Sequence, residues 1–455
     1  MMVRGRWFFV VAAIGLTGAA IASEPESAVT WHGGPAAPVL AGAFLGEPSA
    51  GSGATPGAVT PGQPKGRGAD VRIGSPRQGA QDVALDFDQA TGNLFAVVGW
   101  NDPTHPFWRV NISTDDGASW SETTGVGGSS LFDAAVVDQF VYVAYSNEDY
   151  NVLRMSRFFV ADGTMDMSYG GGGLVNVAIV DPNTILDIAV GANADAQDNR
   201  IYVAFIESNH AVRFFWDVAD DGTTWAEMSP SPSLVSAASG LDYHWGGGTL
   251  GSDPNRLWLS CLGTDGYVHV LAAAASGSWN HYFFSFTPYP NQTRTRISAY
   301  GNYVVVAYTA AGTNAAAPFY LVSYNNGTTW FSGFAYDPPT GAPGCFGVDV
   351  TARGGWGTGI IYNSESSFDT VSVATREDYA QGSPWSPPFT FNEVDAFSGS
   401  PSFIQYLRPL GAFGMVYLAG DTAGNVIPYF DFIALMPFDD GFEFGDTSAW
   451  SNTVP

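Results

Sequence analysis

The chain has 455 residues but few positive charges: 17 Lys and Arg stand against 43 Asp and Glu, and Lys65 is the only lysine. The formal net charge is −26. Nucleic acids and anionic membrane surfaces carry charge of the same sign, so we expect neither as a partner. After the first 22 residues, no segment reaches the 18 consecutive apolar residues of a membrane-spanning helix.

Common catalytic and metal-binding signatures are also missing. The sequence has no HExxH motif, no CxxC pair and no P-loop, and its six histidines lack the spacing of a ligand set. Helical periodicity is nearly absent. Short runs of Val, Ile, Tyr, Phe and Trp instead alternate with Gly, Asn, Asp and Pro, which is typical of an all-β protein. Because residues 79–437 contain no internal linker, we expect them to form one large domain.

One eight-residue pattern occurs three times, with its Asp or Asn at positions 115, 220 and 325, two equal intervals of 105 residues. An Asp or Asn side chain can accept hydrogen bonds from backbone N–H groups of a tight turn, and Gly can adopt a positive φ. The following Trp can pack against the hairpin. The pattern predicts three equivalent turns, formed by Asp115, Gly117 and Trp120; Asp220, Gly222 and Trp225; and Asn325, Gly327 and Trp330.

This pattern resembles the Asp-box, or BNR repeat, of the sialidase-like β-propellers, and the chain resembles a secreted bacterial member of that superfamily. Half of the 105-residue interval is about 50 residues, the size of one four-stranded propeller blade. Seven such units can be aligned between residues 79 and 437. We therefore predict a single β-propeller with seven four-stranded antiparallel blades, six or eight being the alternatives. The strand at Val71-Arg72-Ile73 could complete the last blade.

The two ends of the chain have other compositions. Residues 1–22 combine Arg4 and Arg6 with a short apolar run and a small-residue cleavage site, which predicts a signal peptide and export. Residues 23–78 are rich in Gly, Ala, Pro and Ser and are interpreted as a disordered linker. The tail, 438–455, resembles C-terminal segments of exported bacterial proteins and is either sorting-related or disordered.

Cys261 and Cys345 fall in the fourth and sixth units, which are not neighbours in a propeller. A disulfide requires Cα atoms within about 7 Å, so we expect two free, buried thiols.

The starts of five units place charged residues in one register, 51 to 55 residues apart: Asp82, Asp133, Asp187, Asp242 and Arg296. In a propeller the first strand of each blade lines the central tunnel, so these side chains would converge at its mouth. We expect an acidic funnel that binds a hydroxyl-rich ligand or a hard cation such as Ca²⁺, with Asp133, Asp187 and Asp242 as metal ligands. No cofactor is otherwise required. The alternative is that each Asp bonds backbone N–H groups and joins neighbouring blades.

The resemblance also implies what a sialidase would need: three arginines for the substrate carboxylate, a Tyr nucleophile with a Glu partner, and an Asp acid/base. Arg72 lies in an imperfect Arg-Ile-Pro motif, with Gly74 in place of the proline. Either Arg294 or Arg296, together with Arg408, could supply the other two arginines, and Tyr406 is the candidate nucleophile. No Glu partner is identified, so the catalytic set is incomplete.

Three functions therefore remain. The first is a secreted, monomeric propeller that binds a glycan or an extracellular protein at its central face without catalysis. The second is an exo-α-sialidase or related glycoside hydrolase, and the third is a structural component of the cell envelope or surface. We expect the first, in the periplasm, on the surface or outside the cell, because the fold signal is strong while the catalytic set is incomplete.

Overall fold

The computed structural model describes residues 70–75, 80–88, 90–100, 107–123, 128, 131–192, 201–228, 236–245, 256–274, 279–285, 294–342, 344–352, 358–364, 371–376, 384–390, 403–407, 412–420 and 426–434. The predicted signal peptide, most of the linker, the tail and Arg408 lie outside these residues. Within them the protein is all-β. The only helical element described is a 3-10 turn at Tyr169–Gly171, and no helix there is long and apolar enough to cross a membrane.

Seven four-stranded antiparallel sheets form the blades of a β-propeller, as predicted. In blades 1 to 6 the strands run outward from the innermost strand in chain order; in blade 7 the first strand of the described chain, β1 (Val71–Arg72), is the outermost. Blade 1 contains β2 (Ala80–Phe87), β3 (Leu94–Trp100), β4 (Phe107–Ser113) and β5 (Ser121–Glu122); blade 2 contains β6 (Phe132–Val137), β7 (Phe140–Ser146), β8 (Val152–Phe159) and β9 (Leu174–Ile179); blade 3 contains β10 (Ile185–Ala192), β11 (Ile201–Glu207), β12 (Val212–Asp217) and β13 (Trp225–Glu227).

The remaining blades follow the same order. Blade 4 contains β14 (Ala237–Trp245), β15 (Arg256–Gly263), β16 (Tyr267–Ala274) and β17 (Trp279–Ser285); blade 5 contains β18 (Thr295–Tyr300), β19 (Tyr303–Ala311), β20 (Ala316–Ser323) and β21 (Phe331–Phe334); blade 6 contains β22 (Cys345–Ala352), β23 (Thr358–Ser364), β24 (Val371–Arg376) and β25 (Phe389–Thr390); blade 7 contains β26 (Phe403–Leu407), β27 (Ala412–Gly420), β28 (Val426–Ala434) and β1 (Val71–Arg72).

The ring closes between the two ends of the described chain. Val71 pairs with Phe430 and Arg72 pairs with Tyr429, so the first strand is the outermost strand of blade 7. On the inner side, β2 of blade 1 contacts β26 of blade 7. Blade 7 is therefore built from both ends of the domain, which removes the open seam that a circular sheet arrangement would otherwise have.

The core lies between the blades. The second strands β3, β7 and β11 are buried along their whole length, which explains why they are continuous apolar runs without alternation. Large aromatic side chains such as Trp108 and Trp258 fill the wedge between neighbouring sheets. Cys261 and Cys345 are both buried, and neither forms a disulfide, as predicted.

Candidate functional site

Two of the three repeated turns have the same geometry. In the first, Asp115 Oδ1 accepts the Ser119 N–H at 2.8 Å, and the Ser113 hydroxyl accepts the Gly117 N–H at 2.9 Å. The third turn repeats both bonds, with Asn325 accepting the Thr329 N–H at 2.8 Å. These turns join the third and fourth strands. Because strands alternate in direction, they lie at the opposite end of the blade from the start of the inner strand.

Each of these turns also packs on the preceding blade. The Trp120 ring meets Phe430 of blade 7 edge-on, with ring centroids 5.4 Å apart. Gly117 has φ +85°, and a Cβ there would lie 2.1 Å from the Phe430 ring, so only glycine fits. The repeated turn is therefore a contact between blades as well as a hairpin.

The second turn differs from the expectation for Asp220. There Asp221 accepts the Thr223 N–H and Asp217 accepts the Gly222 N–H, each at 2.8 Å. The positive φ falls on Asp220 (+52°), one position earlier than the equivalent residue in the other turns, Asp116 or Asn326. This change turns the Asp220 carboxylate toward blade 2.

In blade 2, Asp220 Oδ1 accepts a hydrogen bond from the Tyr142 hydroxyl at 2.5 Å. Arg157 donates to the Asp220 backbone carbonyl at 2.9 Å and forms a 2.6 Å ion pair with buried Asp166. The guanidinium also stacks on the Phe140 ring, 3.8 Å from its centroid. The sequence pattern alone could not reveal this cluster, because its members are far apart in the chain.

Around the tunnel, side chains of the inner strands hydrogen-bond to the inner strand of the next blade. Asp187 is typical: Oδ2 accepts the Leu241 N–H of blade 4 at 2.9 Å, while Oδ1 accepts the N–H of Ile188 on its own strand at 3.0 Å. The alternative role left open by the sequence, a carboxylate that joins neighbouring blades, corresponds to this geometry.

These bonds link all seven blades in a circle. Running from blade 1 round to blade 1 again, the bonds are Asp86 to Val136 N–H at 2.6 Å, Asp133 to Val190 N–H at 2.7 Å, Asp187 to Leu241 N–H at 2.9 Å, Asp242 to Ile297 N–H at 2.6 Å, Ser298 to Ala352 N–H at 3.0 Å, Asp349 to Ile404 N–H at 2.8 Å, and finally the Gln405 amide donating to Asp86 at 3.4 Å.

A small depression with a cavity volume of about 20 Å³, open to solvent, occupies the tunnel mouth where the inner strands begin. It brings together four of the five predicted charged residues and adds Arg294; Asp242 does not line it but lies 3.5 Å from Arg296. The lining residues are Asp82, Val83, Phe132, Asp133, Asp187, Ile188, Leu241, Arg294 and Arg296.

One ion pair crosses the mouth. Arg294, just before blade 5, donates to both oxygens of Asp82 in blade 1, at 3.0 and 3.4 Å. Blades 1 and 5 are not neighbours, so the pair spans the opening. The Arg294 side chain is 34% exposed and that of Asp82 is 16% exposed, so solvent reaches both groups.

Arg296 lies deeper and is nearly buried. Its guanidinium is 3.5 Å from Asp242 and 3.7 Å from Asp349. The surrounding carboxylates raise the pKa of Arg296, although burial alone would lower it, so this residue is the fixed positive charge of the tunnel. Asp349 was not among the predicted mouth residues.

The tunnel carboxyl groups hold protons more strongly than usual. Burial, together with the nearby Asp242 carboxylate, raises the pKa of Asp133 to about 8. Burial likewise raises the pKa of Asp242 to about 7, with Arg296 opposing, and that of Asp86 to about 6. Near neutral pH this set therefore contains both protonated and ionised carboxyl groups.

The proposed metal ligands are engaged by backbone N–H groups. Within the residues that the structure describes, no group of three or more His, Cys, Asp or Glu side chains is arranged to hold a metal ion. Ca²⁺ binding by Asp133, Asp187 and Asp242 stays a prediction.

The structure separates Arg72 from the other sialidase candidates that it describes. Arg72 is on β1, the outermost strand of blade 7, three strands from the inner strand β26. Neighbouring strands are about 4.8 Å apart, so Arg72 is far from Arg296 at the tunnel. The backbone of Tyr406 lies in β26, while its side chain and Arg408 are outside the described residues, so their role stays a prediction. Of the candidates whose side chains the structure describes, Arg294 and Arg296 line the mouth.

Fold and site together define the class of protein: a seven-bladed β-propeller whose inner strands carry a closed circle of polar contacts beneath a charged mouth. No family model and no curated protein sequence matches this chain.

Several solved structures are similar in fold. An α-L-arabinanase from Penicillium chrysogenum is 12% identical with a TM-score of 0.43, over 80% of this chain and 98% of that one. A lectin from Aleuria aurantia is 13% identical with a TM-score of 0.41, over 66% and 90%. A sialidase from Trypanosoma rangeli is 11% identical with a TM-score of 0.42, over 80% and 58%. At these identities and scores, the similarities carry no argument about function.

Proposed function

We propose that the tunnel mouth binds a neutral, hydroxyl-rich glycan and does not cleave it. The observation that carries this proposal is the solvent-accessible Asp82–Arg294 pair, which spans the opening beside half-buried Asp133, Asp187 and Arg296. A guanidinium offers several N–H donors in one plane, and the adjacent carboxylate offers acceptors. Two neighbouring hydroxyl groups of a sugar can bond to such a pair at the same time.

The protonation of the mouth supports a neutral ligand. With a pKa of about 8, the carboxyl group of Asp133, which lines the mouth, is largely protonated at neutral pH. A protonated carboxyl group both donates and accepts hydrogen bonds, as a sugar hydroxyl does. The acidic surroundings and the net charge of −26 disfavour an anionic ligand.

The distribution of the candidate catalytic residues supports binding over hydrolysis. Arg72 lies on an outermost strand, and the described lining of the mouth contains neither Tyr nor Glu. A sialidase-type reaction would need a Tyr–Glu pair next to the arginines. The exported location stays a proposal that rests on residues 1–22, and an extracellular glycan would be consistent with it.

A glycan array followed by calorimetry tests the proposal. We expect enrichment of uncharged glycans and about tenfold weaker binding by Arg294→Ala, the loss of roughly one hydrogen bond to a charged group. Arg109→Ala is the matched control. Arg109 also forms a half-exposed ion pair, with Glu122, and its side chain is 30% exposed, but it lies on the third strand of blade 1, away from the mouth.

Two outcomes would contradict the proposal. Turnover of a fluorogenic sialoside that Arg296→Ala abolishes would make the protein a hydrolase. If no glycan is enriched and no substrate is turned over, a structural role in the envelope or surface is favoured instead.

A further inference from the structure

The exposed large apolar side chains are concentrated on one part of the molecule. Six of the eight in the described residues belong to blades 2 and 3, and the remaining two belong to blade 5. The six are Tyr150, Met167, Leu174, Ile179, Leu186 and Val218, and Ile179 and Met167 are 68% and 63% exposed. Exposed apolar groups that cluster, unlike scattered ones, mark sites of association.

The β9 strand runs through this cluster. Leu174 and Ile179 are at its two ends, and Ile179 pairs with Val152, two residues after Tyr150. The N–H of Ile185, next to Leu186, donates to the Tyr150 carbonyl, so Tyr150 and Leu186 are near Ile179. At the other end, the Gly170 N–H donates to the Asp221 carbonyl, which brings the turn after Val218 close to Leu174. The cluster therefore follows the length of the strand.

β9 is also a sheet edge, since it pairs with β8 on one side and is last in the order of its blade among the described strands. Its sequence, Leu-Val-Asn-Val-Ala-Ile, contains no charge and no proline. Natural edge strands are normally short or carry charged residues, because an apolar edge pairs with other chains. This edge lacks those safeguards.

Five of the other six outer strands are short: β1, β5 and β25 have two residues each, β13 has three and β21 has four. β17 has seven residues and, like β9, contains no Asp, Glu, Lys, Arg or Pro, but none of its residues is among the exposed large apolar side chains. Among the described outer strands, β9 therefore combines a long uncharged edge with exposed apolar side chains.

The charged residues around the β9 edge indicate the sign of the charge that its partner carries. Exposed Glu148, Asp149 and Asp181 flank the Ile179 end, and Asp162 and Asp221 flank the Leu174 end. The arginines of β8 do not neutralise them at the surface: Arg157 is buried against Asp166, and Arg154 is half-buried. A second copy of this chain, with the same negative charge, is a poorer fit than a basic segment.

We propose that β9 is a docking edge for an extended segment of another protein, in which apolar residues alternate with Lys or Arg. The segment pairs with β9 as a fifth strand of blade 2. Its apolar side chains cover Leu174 and Ile179, and its basic side chains reach the flanking carboxylates. Backbone hydrogen bonds give the affinity, and the alternating side chains give the specificity. This function is separate from ligand binding at the tunnel mouth.

Selection from a random twelve-residue displayed peptide library on the intact chain tests the inference. We expect enriched sequences that alternate apolar and basic residues. A synthetic peptide of the leading sequence should bind at least tenfold more weakly to the double variant Leu174→Lys, Ile179→Lys. Phe334→Lys, at a residue that is 37% exposed like Leu174 but ends the outer strand of blade 5, is the control and should bind normally. Peptide binding should slow hydrogen exchange at the β9 amides.

Three results would overturn the inference. The enriched peptides could lack the alternating basic pattern, or they could bind the double variant as well as the wild type. Thirdly, the wild type could be a dimer that the double variant converts to a monomer, in which case the edge serves a second copy of this chain.

Discussion

Aspartates accept backbone N–H groups in two regions of this propeller, the rim turns and the tunnel wall, yet their electrostatic states are opposite. At the rim, Asp115 is exposed, and its hydrogen bonds to Ser119 and Ser113 lower its pKa. In the tunnel, Asp187 makes equally short bonds to backbone N–H groups, yet burial outweighs them and raises its pKa. The same side chain with the same kind of donor is thus a turn cap whose ionisation is favoured in one place, and a link between blades whose ionisation is disfavoured in the other.

Solvent explains the difference. A carboxylate at the rim keeps much of its hydration, so each N–H donor adds to the stability of the charged form. In the tunnel the carboxyl group has lost its hydration, and two N–H donors do not fully replace it. The two hydrogen bonds also connect different parts of the molecule. Asp115 accepts a hydrogen bond from within its own turn, whereas Asp187 accepts one from a residue of the next blade.

The largest effect is expected for Asp187→Ala. This change leaves the N–H groups of Ile188 and Leu241 without their acceptor in the tunnel wall. We expect the free energy of unfolding in a denaturant titration to fall by about 2–4 kcal/mol, the cost of two buried donors left unpaired. Asp187→Asn is the control, because its amide oxygen can still accept a hydrogen bond, and it should lose less. Equal losses for the two variants would mean that charge matters more than bonding.

The second expected effect is a loss of stability as pH rises from about 4 to 8. The carboxyl groups of Asp86, Asp133 and Asp242 stay protonated in the folded protein up to about pH 6, 8 and 7, whereas the unfolded chain releases these protons near pH 3.8. The folded state therefore binds more protons in this window, and each such group destabilises it by about 1.4 kcal/mol per pH unit at most. Thermal melting should show a lower Tm at pH 8 than at pH 5.

Two matched variants can identify which groups cause Tm to fall as the pH rises. Asp133→Asn removes a tunnel group, so Tm should depend less on pH between 4 and 8. Asp115→Asn removes a rim group whose pKa is already low, so the slope in this window should not change. A slope that both variants reduce alike would contradict the distinction between tunnel and rim.

A smaller loss is expected when the turn acceptors are removed. Asp115→Ala should lower Tm less than Asp187→Ala, because water can reach the released N–H of Ser119. In the second turn, Asp221→Ala should act like Asp115→Ala, whereas Asp220→Ala should disturb the Tyr142–Arg157 cluster of blade 2. Near-ultraviolet circular dichroism, which reports on Tyr packing, can separate the two. If only Asp221→Ala changes that spectrum, our assignment of the second turn is wrong.

The smallest effect is expected from calcium. The tunnel carboxyl groups that were predicted as ligands already bond backbone N–H groups, and protonated carboxyl groups coordinate hard cations poorly. We expect saturating Ca²⁺ and excess chelator to leave Tm unchanged within error. If Ca²⁺ raised Tm and Asp133→Asn removed that rise, the result would support the predicted metal site instead.

The seven blades could be predicted because the pattern that encodes them is local and repeated. Each unit has an inner strand and a wholly apolar second strand, and three units carry the Gly- and Trp-containing turn. Alignment of the unit starts also gave four residues of the mouth lining, Asp82, Asp133, Asp187 and Arg296.

The rest of the site lies at positions outside the aligned register. In blade 6 the alignment places Gly347 in the register of Asp82, whereas the carboxylate that bonds the next blade is Asp349, two residues later. In blade 5 the link to the next blade comes from Ser298, two residues after Arg296 on the same strand face. The alternation of faces along a strand could also have predicted Asp86, since it lies four residues after Asp82 on β2. It could not have predicted that Arg294 spans the mouth, because Arg294 precedes its strand.

The pairing of Val71–Arg72 with β28 also sets the order of events in biosynthesis. A chain made from its N-terminus presents β1 first, but its partner β28 emerges only after the strands of blades 1 to 6 have been made. Blade 7 is therefore the last to assemble, and the Gln405–Asp86 contact forms in the same event. Bringing such distant segments together is slow because the entropy of a long loop must be lost first. Until β1 pairs with β28, the newly made propeller is an open ring in which the first and last blades are exposed. A chaperone or protease would act on the chain during this interval.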